Sequence, residues 1–135
     1  MNDMTTIDRT QRPYSAAAQA ALGRKPALFI NNEWVSSSHG ALIEVEDPSS
    51  GKIVSHVVDA SDRDVDRAVA AARAAFDDGR WSGLPPMVRE RTMQRLADLL
   101  EAHADEFAEL EAIDNGKPKG MAGAVDVPGA IAHIR

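Results

Sequence analysis

The hydrophobic period changes once along this chain, near Ala60, and that change limits the fold more than any other feature. Before it, short apolar runs are separated by turn residues; after it, apolar residues return every three or four positions. Alternation by two belongs to strands and a period of roughly 3.6 to helices. The sequence therefore calls for a short β region followed by a helical one.

The β region starts at Ala27. Leu28-Phe29-Ile30 is apolar, Asn31-Asn32 tolerates positive φ, and Glu33-Trp34-Val35 resumes extended character, a hairpin pattern. Residues 36–40 read as a flexible loop. Leu42-Ile43-Glu44-Val45-Glu46 alternates in part and meets Asp47-Pro48-Ser49-Ser50-Gly51, where proline sets φ and glycine permits a positive one. Ile53, Val54, Val57 and Val58 mark another strand. The strands are expected to pair antiparallel, with a register the sequence leaves open.

Ser61-Asp62-Arg63-Asp64 can cap a helix, and Val65, Val69, Ala72 and Phe76 share one of its faces. Asp77-Asp78-Gly79 ends it. Pro85-Pro86 suits the first turn of the next helix, with Val88, Thr92, Leu96, Leu99 and Leu100 as its apolar stripe. A further helix carries Phe107, Leu110 and Ile113 and closes at Gly116 and Pro118. Residues 119–135 are helix-prone, but Pro128 is expected to break or kink them. Residues 1–26 read as a flexible tail. Within them, residues 15–22 can form two helical turns that have only Leu22 as a large apolar group to bury, and the first dozen residues are expected to be poorly ordered.

Val, Ile, Leu and Phe make up about a fifth of the 135 residues, much of the 44% hydrophobic content being alanine. That is a thin core, and the stripes over 65–76 and 88–100 are expected to be exposed. The formal net charge of −6 disfavours nucleic acid and anionic membrane as partners. No apolar run is long enough for a membrane helix, no secretory signal is evident, and the expected location is the cytoplasm.

Chemistry-bearing residues are sparse. There is no cysteine, so these residues offer neither a disulfide nor a thiol nucleophile. His39, His56, His103 and His133 are scattered without metal-ligand spacing; His103 reads as a half-buried packing residue. Gly120-Met121-Ala122-Gly123 lacks the preceding strand of a phosphate loop. Asp114, taken alone, reads as a carboxylate at a helix end or facing solvent. Residue types by themselves reveal no active site.

Six phrases, in order, resemble the aldehyde dehydrogenase superfamily: residues 28–35, 47–54 and 64–76, Trp81, residues 95–101, and Leu110-Glu111-Ala112-Ile113-Asp114-Asn115-Gly116-Lys117-Pro118. The resemblance extends from Leu28 to Arg135. It implies an α/β fold class, with residues 27–135 as the first part of a cofactor-binding domain: short antiparallel strands, then about four helices. Such enzymes oxidise an aldehyde to a carboxylic acid with NAD or NADP, through a cysteine thiolate, hydride transfer and a glutamate-activated water. In the family those residues lie beyond the point where this sequence stops, so it is expected to be a fragment, inactive alone. No catalytic or cofactor-binding residue falls within it.

Two narrower expectations follow from the resemblance. The Asp114 carboxylate, with the backbone carbonyls of Val45 and Glu46, resembles a site for a structural monovalent cation, an oxygen-rich set suited to a hard ion. Val125 and Gly129 resemble positions lining an aldehyde entrance tunnel. There Val127-Pro128-Gly129 would widen the entrance for aromatic or bulky aldehydes, or Gly129 merely relieves crowding beside Pro128. The parent would be a homodimer or homotetramer. The alternative is a non-catalytic module that docks onto full-length relatives or another partner.

Overall fold

The computed structural model describes residues 14–135; the first dozen residues, expected to be poorly ordered, lie outside them. Strands β1 (Leu28–Ile30) and β2 (Glu33–Val35) pair antiparallel through a two-residue turn. Asn31 and Asn32 have φ of 52° and 64°, the positive pair whose twist suits a tight hairpin. Phe29 and Trp34 lie opposite each other with ring centroids 5.0 Å apart.

Strands β3 (Leu42–Asp47) and β4 (Lys52–Val58) form a second antiparallel hairpin, and the two hairpins are separate sheets. Val45 pairs with Ser55 but Glu46 pairs with Ile53, so Val54 is an extra residue that bends the ribbon. The turn follows the expected chemistry. The Asp47 carbonyl accepts from the Ser50 and Gly51 amides at 3.1 and 2.8 Å, and Gly51 has φ of 66°.

Four helical stretches follow, as expected. Helix α2 (Asp62–Asp77) opens with a complete capping box between Ser61 and Asp64. Helix α3 (Pro86–Ala102) has proline in its first turn, and α4 (Ala104–Asn115) stops at Gly116, whose φ is 77°. His103, expected to be half-buried, is exposed instead. It sits at the α3–α4 corner, past the packed face of α3, and its Nδ1 lies 3.2 Å from a Glu106 carboxylate oxygen. The preceding helix, α1 (Ala16–Leu22), is capped by the Ser15 side chain. It lacks large apolar residues, yet Ala18 is fully buried because a methyl group fits the close approach of α1 to α4 and β4.

Of the break or kink expected at Pro128, the last stretch shows no break, only a local distortion just before the proline. Helix α5 (Lys119–Met121) runs through a π-helical turn (Ala122–Asp126) into α6 (Val127–Ile134) without a break. The Val127 amide donates to the Ala122 carbonyl, five residues back. Widening the helix just before the proline absorbs its missing N–H, and Pro128 then occupies the first turn of α6.

The core is where α3, α4 and the last stretch meet: Ala97, Ala108, Ala122, Val127 and Ile131, with Leu100, Ala104 and Ile134 packed around them. Three alanines let these backbones approach closely. Gly123 belongs to the same contact, since a Cβ there would lie 3.5 Å from the Ala108 methyl. The larger apolar side chains on the anticipated stripes stay outside, with Val69 62%, Phe76 64% and Leu99 56% exposed.

Candidate functional site

The Asp-Pro turn and the end of α4 meet at one corner. Strand β3 packs against α4, and a Cβ added at Gly116 would lie 3.2 Å from the Pro48 ring. Glycine is needed there for its positive φ and for this approach. Asp114 is exposed on the last turn of α4, beside buried Ile113; Val45 is half-buried and Glu46 exposed at the bulge of β3. The fold thus joins the two elements that carry the proposed cation ligands. Among the described residues no cluster of three or more His, Cys, Asp or Glu side chains could hold a metal ion.

Next to this set lies a carboxylate that motif reading missed. Asp47 is 4% exposed. Its oxygens accept from the Ser49 amide and hydroxyl at 2.8 and 2.7 Å, the Ser50 hydroxyl at 2.9 Å and the Tyr14 hydroxyl at 3.0 Å. Burial works to raise its pKa, but the donors outweigh it and hold the carboxyl below its ordinary value. The Asp-Pro-Ser-Ser wording announces the local donors; nothing announces Tyr14.

Asp64 is a second such centre. It is 1% exposed and accepts from the Ser61 hydroxyl and amide at 2.8 and 3.1 Å, and from the Ser37 hydroxyl at 2.8 Å. The Ser38 amide and hydroxyl also donate to it, at 3.2 and 3.3 Å. Burial pushes its pKa up, yet these bonds hold it far below the usual carboxylate range. Residues 36–40, read as a flexible loop, are therefore tied to the start of α2. A run of three serines was the signal.

Val125 and Gly129 fall one helical turn apart on the side of the last stretch that faces away from its packed residues, Val127 and Ile131. Val125 is 57% exposed. Outside its own helix and chain neighbours, nothing lies within 4 Å of where a Gly129 side chain would start, so no neighbouring element demands the glycine. Lys117 fixes the end of the π turn, with Nζ 2.6 Å from Asp126 and 3.2 Å from Glu111. Beside this bridge, Leu100, Phe107, Val127 and Ala130 line a cleft of about 320 Å³. No helix among the described residues is long and apolar enough to cross a membrane.

Two hairpins laid before a packed set of helices, with the Asp-Pro turn against the end of α4, also describe the beginning of a known enzyme fold. The model of the aldehyde dehydrogenase family matches residues 34–135, and the chain belongs to that family. It is 43% identical over 124 residues to a mitochondrial benzaldehyde dehydrogenase of Antirrhinum majus, covering 85% of this chain and 23% of that protein. It is 44% identical over 108 residues to the putative aldehyde dehydrogenase DhaS of Bacillus subtilis (strain 168), covering 80% of this chain and 22% of that one. The NAD+ complex of an aldehyde dehydrogenase from Bacillus cereus superposes with a TM-score of 0.86 at 36% identity, over 91% of this chain and 25% of that one. The chain spans less than a quarter of the length of these two curated relatives, and the match falls in their amino-terminal part.

Proposed function

We propose that these 135 residues are the amino-terminal portion of an enzyme that oxidises an aldehyde to a carboxylic acid with NAD or NADP, and that they do not catalyse the reaction alone. The family match over residues 34–135 carries this reading. The absence of cysteine supports the second half, because acyl transfer by this route needs a thiolate. In the reading, these residues form the first layer of the cofactor-binding domain and the wall of the aldehyde entrance, while the thiolate, the base and the nicotinamide site are supplied elsewhere. The whole enzyme would be a cytoplasmic homodimer or homotetramer. The purified chain, given NAD+ or NADP+ and a panel of aldehydes, should produce no reduced nicotinamide by absorbance. Turnover above a heat-killed control would sink the claim.

Two site assignments belong to this proposal. Asp114, with the carbonyls of Val45 and Glu46, would hold a monovalent cation such as potassium, supported by the packing of β3 on α4. Val125 and Gly129 would line the aldehyde entrance, the absent Gly129 side chain leaving room for aromatic or bulky aldehydes; the benzaldehyde enzyme among the relatives is a precedent. One set of measurements on the longer enzyme checks both. At constant ionic strength, potassium should raise the melting temperature of the parent and raise it less in Asp114→Asn. Gly129→Met should lower kcat/KM about tenfold more for benzaldehyde than for acetaldehyde. Equal potassium responses, or an unchanged substrate ratio, would remove the corresponding assignment.

A second reading, a non-catalytic module docking onto full-length relatives or another partner, is favoured by the apolar face of α2, where Val65, Val69 and Phe76 are exposed. Co-elution of the chain with a full-length relative, lost in Val69→Asp, would support it.

A further inference from the structure

Helix α1 has seven residues, too few to persist alone in water, and it is held by contacts with three other elements. At its entrance the Tyr14 hydroxyl donates to Asp47 Oδ2 at 3.0 Å, at the end of β3. The next residue, Ser15, donates its amide to Glu109 Oε1 on α4 at 2.7 Å. At its exit the Leu22 carbonyl accepts from the Ser55 hydroxyl on β4 at 2.8 Å. Between these anchors Ala18 is fully buried. Glu109 is itself shared, since Lys119 Nζ at the start of α5 lies 3.1 Å from its other oxygen.

The β3–β4 hairpin needs such a hold. It shares no hydrogen-bonded edge with the β1–β2 hairpin, and many of its apolar side chains, Leu42, Ile43, Ile53 and Val57 among them, are exposed. Its principal packing among the described elements is β3 on α4 and β4 on α1. Removing α1 would free the β4 side of the hairpin, leaving it held by β3 and the Asp-Pro turn against α4 and by the loop over residues 36–40 at its open end, with the buried Asp47 carboxylate uncovered on one side.

We propose that residues 14–22 form a reversible strap: closed, they clamp the β3–β4 hairpin onto α4; open, they let its β4 side pivot about the remaining contacts of β3 and the Asp-Pro turn with α4 and of the loop over residues 36–40 with α2. Among the described residues the strap is held by one buried methyl and three hydrogen bonds to other elements rather than by an apolar face, so few of these contacts need to break for release. Among the described residues, Tyr14 and Ala18 are the strap side chains that meet a buried carboxylate and fill a buried site. Strap release is a local opening, distinct from unfolding of the α3–α4–α6 core, whose buried cluster contains no residue of α1.

Amide hydrogen exchange on the full 135-residue chain tests this, with Tyr14→Phe and Ala18→Asp as the variants. Tyr14→Phe removes one hydroxyl bonded to a buried charge, and Ala18→Asp puts a charge where the methyl is enclosed. Exchange at the cross-strand pairs Ile43–Val57 and Glu44–His56 should quicken several-fold in Tyr14→Phe and about tenfold or more in Ala18→Asp. The β1–β2 pairs and the core amides of Ala97 and Ile131 should keep their parent rates. Unchanged β3–β4 exchange in both variants overturns the proposal. Equal acceleration across the whole chain overturns it too, because α1 would then be an ordinary part of one cooperative unit.

Discussion

Ile131→Ala should destabilise the chain by about 3 kcal/mol, read as a lower urea midpoint by circular dichroism. Ile131 is 8% exposed and sits in the buried cluster with Ala97, Ala108, Ala122 and Val127. Its cost should lie well inside the range for buried isoleucine, because three of those four neighbours are alanines. A methyl group has no rotamer through which to swing into a void, so the cavity left behind stays open. The control is Val125→Ala on the exposed side of the same helical stretch, where a change within about 0.5 kcal/mol is expected. If the two substitutions cost the same, the packed face of the last stretch has been assigned wrongly.

Loss of Asp64 should produce the second large effect. Its carboxylate is the acceptor for Ser37, Ser38 and Ser61 together, so Asp64→Ala both removes half of the capping box and frees the loop over residues 36–40. Ser61→Ala, which removes the cap but leaves the loop's acceptor, should cost about 1 kcal/mol; Asp64→Ala should lower the urea midpoint further. The pH dependence follows from the sign of the shift. Asp64 has a folded pKa below its unfolded one, so its stabilising contribution is complete above the ordinary aspartate range and is lost as pH falls towards the folded value. Asp47 and Glu109 are lowered as well and act in the same direction. The parent should therefore lose stability steadily as pH drops below about 5, and Asp64→Ala should show a shallower slope over that interval. A parallel pH profile in the two proteins would mean that the carboxylate is not tied down in solution.

Whatever depends on a few neighbouring residues was legible. Asn31-Asn32 announces a turn because asparagine tolerates positive φ, and both residues adopt it. Ser61 and Asp64 announce a cap because the bonds they make span three residues. Gly116 announces the end of α4 for the same kind of reason. The six phrases pointed to the family that the comparisons then identified. The cation and tunnel assignments came with the family wording and not from local chemistry, since neither Asp114 nor Gly129 has a surrounding pattern that distinguishes it from a helix end or a small helical residue.

Local pattern is insufficient where a distant element decides. His103 reads as half-buried because it lies near an apolar stripe, but the packed face of α3 ends before the corner it occupies. Pro128 is expected to break or kink the last helix; the stretch is not broken, because Val127 and Ile131 pack on both sides of it, and the distortion takes the form of the π turn just before it.

By itself, the sequence determined the order of two hairpins and four later helical stretches, their turns and caps, and the family, since each is written in short-range pattern or wording. Only the tertiary structure decided which apolar residues are inside and which polar ones are enclosed. Helix approach distance is a property of pairs of elements, and it favoured alanines over the larger side chains of the stripes. Asp47 and Asp64 are buried because Tyr14, Ser37 and Ser38 arrive from 33, 27 and 26 residues away, a convergence that no local pattern encodes.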